Sequence, residues 1–176
     1  MKISVFGGSQ PKVGDAAYED AYTLGKLLVE AGHMVMTGGY IGTMEAVSRG
    51  AYEAGGHVIG VTCTEIENWR DVKPNKWVKE EWRRDTLLER LQLLVVECQA
   101  GIALPGGPGT LTEIALMWNL MIVEAIHRRP LVLVGSCWQS VFDQFFTQQD
   151  VYVAENQRKL VHFAKDVKTA VNLLEN

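Results

Sequence analysis

The chain has 176 residues, of which 47% are apolar and 22% are charged, and its formal net charge is −4. This length suits a single domain, which we expect to span residues 1–176. The negative balance attracts neither nucleic acid nor an anionic membrane, and no apolar run is long enough to cross a bilayer, so we expect neither partner and infer that any bound anion is held by a local site.

Short apolar runs alternate with helical patterns from the first residues onward. Residues 3–6 (ISVF) predict a buried strand, and residues 16–32 predict a helix that Asp15 caps and Gly32 ends. A strand over 33–39, a helix over 43–56 and a strand over 57–62 follow. The segment Thr64–Glu81, with many charges, two tryptophans and a proline, is predicted to be a surface loop, with a lid over a site as the alternative.

The second half of the chain continues the same alternation. We predict a helix over 80–99, strands over 100–107 and 130–136 with a helix over 110–128 between them, and a last strand over 159–164 before a closing helix. Continuous apolar strands are typical of parallel sheets that are buried on both faces. The pattern therefore predicts an α/β fold, a doubly wound, Rossmann-like three-layer sandwich whose ligands bind at the carboxyl ends of the strands.

Three glycine-rich loops each lie between a predicted strand and a predicted helix. Glycine allows a ligand to approach the backbone closely, and the following helix offers free N–H groups to a phosphate. Tight strand-to-helix turns also require glycine, so one such loop alone is weak evidence. Three at strand ends favour an anion site, and we expect the three loops to converge on one crevice. The phosphate- or nucleotide-binding candidates are Gly7, Gly8, Ser9, Gly38, Gly39, Gly42, Thr43, Pro105, Gly106, Gly107, Gly109 and Thr110.

Known nucleotide fingerprints do not fit these loops. The G-x-G-x-x-G pattern would require glycine at Ser9 and Lys12 after the first strand, and Thr112 breaks it after the third loop. No G-x-x-x-x-G-K-[ST] sequence occurs. Classical NAD binding and Walker-type ATP hydrolysis are therefore disfavoured.

Glu113 follows the third loop and has two interpretations. The spacing Thr110-Leu-Thr-Glu113 matches a capping box, in which Thr110 caps the helix and Glu113 bonds back to it. The same position brings a carboxylate to the strand-end crevice, beside any bound phosphate. Spacing alone favours the cap, although the two roles are compatible.

Arginines on the predicted helix over 80–99 are the candidate cations. Arg83 and Arg90 share an edge of its leucine stripe, where arginine usually extends past the core. Together with Arg84 they are alternatively a phosphate clamp. Glu45, in the first turn of the helix after the second loop, is a further candidate.

The helix over 110–128 is apolar nearly all round, which predicts burial against a second copy of the chain in a homodimer or larger homo-oligomer, or burial inside a monomer. Cys63, Cys98 and Cys137 are widely spaced, and no cysteine and histidine pattern indicates a metal site. We expect reduced cysteines, no metal and a cytoplasmic protein.

The sequence from Pro105 to Glu113 matches the motif P-G-G-x-G-T-x-x-E and resembles the Lonely Guy (LOG) family, long mislabelled as lysine decarboxylases. Residues 38–61 are similar to another segment of that family. The resemblance implies a nucleoside 5′-monophosphate phosphoribohydrolase that needs no cofactor, with Arg90 and Glu113 as the catalytic pair and a dimeric assembly. The released products would be a free base and ribose 5-phosphate.

The arginine motif departs from the plant-type pattern M-H-x-R-K, because this chain reads Leu87-Leu88-Glu89-Arg90-Leu91. One cation is lost, which disfavours a plant-type cytokinin nucleotide as the substrate unless Arg83 or Arg84 compensates for it. Pro108 also replaces a common aromatic residue. The alternative is a carrier that binds a nucleotide-like ligand, such as molybdenum cofactor, without consuming it. A third alternative, a DNA-processing relative, fits the acidic balance poorly.

Overall fold

The computed structural model describes residues 1–174, so the last two residues of the predicted domain lie outside the described part. Its strands are β1 Lys2–Phe6, β2 Met34–Thr37, β3 Val58–Cys63, β4 Glu80–Arg84, β5 Ala100–Ala103, β6 Leu131–Val134 and β7 His162–Ala164. Its helices are α1 Ala16–Glu30, α2 Thr43–Glu53, α3 Thr64–Trp69, α4 Leu87–Val96, α5 Pro108–Ile122, α6 Ser136–Gln148, α7 Glu155–Arg158 and α8 Val167–Asn172.

The strands form one parallel sheet in the order β4-β3-β2-β1-β5-β6-β7. This arrangement confirms the predicted doubly wound α/β fold. The chain adds strands outward from β1 on one side and from β5 on the other. The topological switch point therefore lies between β1 and β5, and ligands of doubly wound folds bind at the carboxyl ends of the strands near this point.

Two apolar layers cover the sheet. One contains Leu24 of α1 and Val47 of α2, and the other contains Leu94 of α4, Met117 of α5 and Phe142 of α6. These side chains are buried because the central strands present apolar residues to both faces. The starts of α2 and α5 therefore lie on opposite faces of the sheet, both at the carboxyl ends of the strands.

The prediction of one helix over residues 80–99 is wrong in its first half. Glu80–Arg84 instead forms β4, an edge strand that pairs with β3, and Thr86 and Glu89 form a capping box that starts α4 at Leu87. A strand this rich in charge is tolerated at a sheet edge, where its side chains reach solvent. Arg83 and Arg90 therefore do not share a helix edge.

Four further differences concern local structure. The predicted loop Thr64–Glu81 contains α3 and the start of β4, α5 ends at Ile122 rather than near residue 128, and α6 and α7 were not predicted. Asp15 stands at the N-cap of α1, but its side chain accepts from the backbone N–H of Lys12 rather than capping the helix. Among residues 1–174, no helix is both long and apolar enough to span a bilayer.

Candidate active site

The three glycine loops meet at one edge of the sheet. The backbone N–H of Gly8 donates to the carbonyl oxygen of Pro105 at 3.1 Å, which joins the first loop to the third. Thr43 donates from its backbone N–H and its hydroxyl to the carbonyl oxygen of Gly8, at 3.0 and 2.8 Å, which joins the second loop to the first. The expected convergence of the loops is confirmed, because they follow the adjacent strands β2, β1 and β5.

The predicted capping box at Thr110 and Glu113 is wrong. Helix α5 begins earlier, at Pro108, with Gly107 at the N-cap and no capping side chain. Proline suits the first helical position because its fixed φ is helical and no backbone N–H is needed there. Thr110 and Glu113 therefore lie inside the helix, and both are buried.

Glu113 is a buried acid with an altered proton affinity. Its side chain is 8% exposed, and this burial raises the pKa of the carboxyl to about 7 by disfavouring the charged form. The positive charge of Arg90 acts in the opposite direction and lowers the pKa. A carboxyl group that titrates near neutral pH is suited to proton transfer or to stabilising positive charge in a site that excludes water.

Arg90 is the buried cation on the same face of the sheet. Its Nε donates to the carbonyl oxygen of Val61 at 2.8 Å, and its Nη2 donates to that of Gly38 at 3.2 Å. Backbone oxygens of β3 and the second loop thus hold the guanidinium in place. Arg90 and Glu113 interact through their charges without forming a direct salt bridge within 4.0 Å.

Tyr40 supports Arg90 from the second loop. The guanidinium carbon of Arg90 lies 5.7 Å from the centre of the Tyr40 ring. The Tyr40 hydroxyl accepts from the backbone N–H of Cys63 at 2.8 Å and lies 3.2 Å from Oε1 of Glu67. Burial raises the pKa of this phenol to about 12, so it stays neutral and able to donate. Tyr40 was not singled out from the sequence, because only the fold brings it against Arg90.

The glycines of the site fall into two kinds. A Cβ at Gly38 would lie 1.9 Å from Nη2 of Arg90, and a Cβ at Gly106 would lie 2.2 Å from the Thr110 hydroxyl, so packing within the chain requires both glycines. A Cβ at Gly107 or Gly109 would meet no atom within 4 Å. Packing within the chain therefore leaves the last two glycines unexplained, whereas a ligand approaching the start of α5 would account for them.

Arg83 and Arg84 lie on a different element from Arg90. Arg83 lies on β4 and pairs with Glu67 at 2.7 Å and with Glu81 at 3.7 Å. Arg84 donates to the backbone oxygen of Arg83. The prediction that these two arginines share one helix with Arg90 is wrong, because they belong to the edge strand β4. Their part in phosphate binding stays a prediction.

A separate cleft of about 640 Å³ opens on the α1–α2 face, between the first two glycine loops and the end of α3. The cleft walls include Ser9, Lys12, Glu45, Trp69 and Arg70. Neither Arg90 nor Glu113 lines it. Arg70 was not identified from the sequence, because its position depends on the path of the segment after α3. Its place next to Trp69 was the only local signal.

Within residues 1–174, no group of three or more His, Cys, Asp or Glu side chains is arranged to hold a metal ion. The charged groups at the carboxyl ends of the strands form two sets. Arg90 and Glu113 are buried on the α4–α5 face, and the charged side chains around the cleft lie on the α1–α2 face.

Comparison with known proteins identifies the family. A family model described as "Possible lysine decarboxylase" matches residues 44–174. The chain is 34% identical over 183 residues to the rice (Oryza sativa subsp. japonica) cytokinin riboside 5′-monophosphate phosphoribohydrolase LOG, covering 99% of this chain and 72% of the rice protein. A cytokinin riboside 5′-monophosphate phosphoribohydrolase of Arabidopsis thaliana is 30% identical, with 99% and 81% covered.

Solved structures show the same fold. The molybdenum cofactor carrier protein from Chlamydomonas reinhardtii has a TM-score of 0.74 and 29% identity, with 99% of this chain and 95% of that chain covered. The molybdenum cofactor binding protein from Rippkaea orientalis has a TM-score of 0.75 at 24% identity, with 99% and 94% covered, and supports the fold alone. The extent of the family model and of the LOG matches establishes that this chain belongs to the LOG family.

Proposed function

We propose that this protein hydrolyses the N-glycosidic bond of a nucleoside 5′-monophosphate and releases the free base and ribose 5-phosphate. The observation that carries the proposal is the buried Glu113 carboxyl in α5, together with Gly107 and Gly109 at the start of this helix, where an added Cβ would meet no atom within 4 Å. The chain also belongs to the LOG family and has relatives named as phosphoribohydrolases, which supports the same reaction class.

The proposed reaction needs water and no cofactor. A water oxygen bonds to C1′, the bond from C1′ to the base nitrogen breaks, and the base leaves with the electron pair and takes up a proton. Positive charge develops on the ribose as the bond breaks. The Glu113 carboxylate stabilises that charge or orients the water, as carboxylates do in glycoside hydrolysis.

Phosphate binding positions the sugar in this proposal. The open N–H groups at the start of α5, with Gly107 and Gly109, hold the 5′-phosphate, and the other glycine-loop candidates shape the crevice around it. Arg90 is held by two backbone oxygens beside Glu113, so it presents a fixed positive charge to the phosphate or to the departing base.

The test is incubation of the protein with AMP, GMP, CMP, UMP and IMP, followed by chromatography for free base. Release of base from at least one of them is expected. Intact nucleotides in every case, with nucleotide binding retained, would contradict the proposal.

A carrier function is the second candidate. It is favoured by the 29% identity to the molybdenum cofactor carrier protein over nearly the whole chain, together with the replacement of the motif lysine by Leu91, which is buried. A carrier would bind its ligand tightly and return it unchanged, so recovery of intact ligand after prolonged incubation distinguishes it from the hydrolase.

We also propose a homodimer formed through the outer faces of α4 and α5, which pack against each other. Leu88 in the first turn of α4 is 78% exposed, and Leu111 in the first turn of α5 is 43% exposed. Exposed apolar side chains on two helices that pack together favour contact with a second copy. Sedimentation should give a species of about 40 kDa for the wild type, twice the 19.6 kDa chain, and a monomer for Leu88→Glu; a monomeric wild type at micromolar concentration would contradict the proposal.

A cytoplasmic location completes the proposal. Cys63 and Cys98 are buried free thiols and Cys137 is an exposed one, and reduced cysteines are typical of the cytoplasm. Thiol titration of the protein from lysed cells should find three reactive groups under denaturing conditions.

A further inference from the structure

The guanidinium of Arg90 is held along one edge and free at one nitrogen. Its Nε donates to the carbonyl oxygen of Val61 at 2.8 Å, and its Nη2 donates to that of Gly38 at 3.2 Å and lies 3.9 Å from Sδ of Met44. Nη1 donates to no atom of residues 1–174, although the residue is only 5% exposed. A guanidinium has five N–H donors, so the two on Nη1 are the ones left for a ligand oxygen.

The ring of Tyr40 supplies a contact that the hydrogen bonds do not. Two bonds along the edge from Nε to Nη2 leave the guanidinium plane able to tilt about that edge, which swings Nη1. The guanidinium carbon of Arg90 lies over the Tyr40 ring, 5.7 Å from its centre, which is within the range of a cation–π contact. Tyr40 is 2% exposed, and such contacts strengthen away from water. The ring therefore limits the tilt that the backbone oxygens permit.

Tyr40 is itself fixed at both ends. Its hydroxyl accepts from the backbone N–H of Cys63 at 2.8 Å, and its own proton has two acceptors in reach, the carbonyl oxygen of Cys63 at 3.1 Å and Oε1 of Glu67 at 3.2 Å. At the other end, Nδ2 of Asn75 donates to the carbonyl oxygens of Tyr40 and Gly39, at 2.9 and 3.0 Å. A ring anchored at both its hydroxyl and its backbone is a rigid support for the arginine.

We propose that Tyr40 is a positioning residue for the proposed hydrolysis, whose ring holds the guanidinium of Arg90 so that Nη1 presents its two N–H groups to the substrate. The effect on base release rests on the proposed function, whereas the hold on Arg90 does not. The ring carries this role, and the hydroxyl serves to anchor the ring.

Two substitutions at Tyr40 separate the ring from the hydroxyl. Tyr40→Leu removes both and should lower kcat/KM for base release about tenfold, the size of a desolvated cation–π contact. Tyr40→Phe keeps the ring and should stay within about threefold of the wild type, although it unfolds more easily because the N–H of Cys63 loses its acceptor. Tyr22→Leu is the matched control, because Arg49 lies over the Tyr22 ring at 5.5 Å on another part of the molecule; it should leave base release unchanged.

The pH profile distinguishes a positioning role from a loss of packing. Burial raises the pKa of Glu113 to about 7, and the positive charge of Arg90 acts against that rise. If Tyr40→Leu releases Arg90, this charge acts less on the carboxyl, so the inflection in base release should move to higher pH. Looser packing alone admits water to Glu113 and moves the inflection to lower pH. Carboxyl NMR of the unliganded protein follows the same titration without substrate, with Glu113→Gln identifying the signal.

A double-mutant cycle tests whether Tyr40 acts through Arg90. Adding Tyr40→Leu to Arg90→Met should cause no further loss of base release, because the group that the ring holds is already gone. An undiminished loss in that background would overturn the inference. So would an inflection in Tyr40→Leu that stays in place or moves to lower pH, or an activity of Tyr40→Phe as low as that of Tyr40→Leu.

Two further features keep the test decisive. Asn75→Ala frees the backbone end of the same ring, so it should shift the Glu113 titration in the same direction and replaces Tyr40→Leu if that variant does not fold. A wild type that releases no base from any nucleotide contradicts the proposed function, whereas the carboxyl titration still decides whether Tyr40 holds Arg90. The two failures are therefore distinguishable.

Discussion

Charged side chains at the carboxyl ends of the strands are buried on one face of the sheet and exposed on the other. On the α4–α5 face, Arg90 is 5% exposed and Glu113 is 8% exposed, and the protein fixes the arginine with backbone oxygens. On the α1–α2 face, Lys12 and Glu45 border an open cleft of about 640 Å³. Charges shielded from water interact strongly and keep their positions during a reaction, whereas exposed charges are screened. The comparison favours the α4–α5 face as the place of the proposed chemistry.

The largest effect is expected from Glu113→Gln, which keeps the size of the side chain and removes its charge. Base release should fall by about a hundredfold to a thousandfold, or 2.7–4 kcal/mol, because a buried group that stabilises the transition state is lost. Nucleotide affinity should change little. Glu155→Gln, at an exposed residue paired with Lys159 on α7, is the matched control and should keep full activity; a similar loss in both variants would contradict the assignment.

The stability of Glu113→Gln relative to the wild type should depend on pH. The folded-state pKa of Glu113 is raised from 4.5 to about 7, so ionising this group in the folded protein costs free energy. That cost is absent below pH 4.5, grows between pH 4.5 and 7, and reaches about 3 kcal/mol above pH 7. Denaturant unfolding should therefore show the glutamine variant gaining stability over the wild type as pH rises from 4.5 to 8; a constant difference would contradict the buried ionisation.

Substitutions at two glycines of the α4–α5 face should distinguish a role in packing from a role in ligand binding. Gly38→Ala places a Cβ 1.9 Å from Arg90 and should destabilise the fold by about 1–3 kcal/mol through overpacking. Gly109→Ala meets no atom of the chain, so its melting temperature should match the wild type while its affinity for AMP falls about tenfold. Thermal melting and calorimetry on both variants test this contrast, and unchanged AMP binding by Gly109→Ala would remove the third loop from the phosphate site.

The smallest effect is expected from salt, acting on the exposed charges around the cleft on the α1–α2 face. Adding 0.5 M NaCl should weaken any ligand contact made by Lys12 less than tenfold, since an exposed cation is screened by salt. Base release from saturating AMP should barely respond, because Arg90 and Glu113 are shielded from solvent. Comparing calorimetric affinity with turnover at low and high salt tests this difference; a large salt effect on turnover would place exposed charges in the chemistry.

The sequence predicted the features that depend on strand order and missed those that depend on the path of a loop. Parallel strands bring their carboxyl ends to one edge, so the loops at Gly8, Gly39 and Gly107 were expected to meet. Glu80–Arg84 was not recognised as a strand because an edge strand with both faces near solvent lacks the apolar pattern of β3. Arg70 reaches Ser9 only through the turn after α3, which no periodicity predicts.

The role of Glu113 shows a different limit. The spacing Thr110 to Glu113 is that of a capping box, and sequence alone favoured that interpretation. Pro108 starts the helix two residues earlier, which places both side chains inside it and buries the carboxyl. A capping box of the same kind does occur at Thr86 and Glu89, where it starts α4 and so helps to position Arg90.

The pH dependence of base release tests the central claim most directly. We predict that kcat/KM for the wild type rises with pH through an inflection at about pH 7, because the Glu113 carboxylate is the active form and its pKa is raised by burial. Glu113→Gln should lose both the rate and this inflection. An inflection near pH 7 that persists in Glu113→Gln, or equal base release by the two proteins, would show that Glu113 has no part in the chemistry.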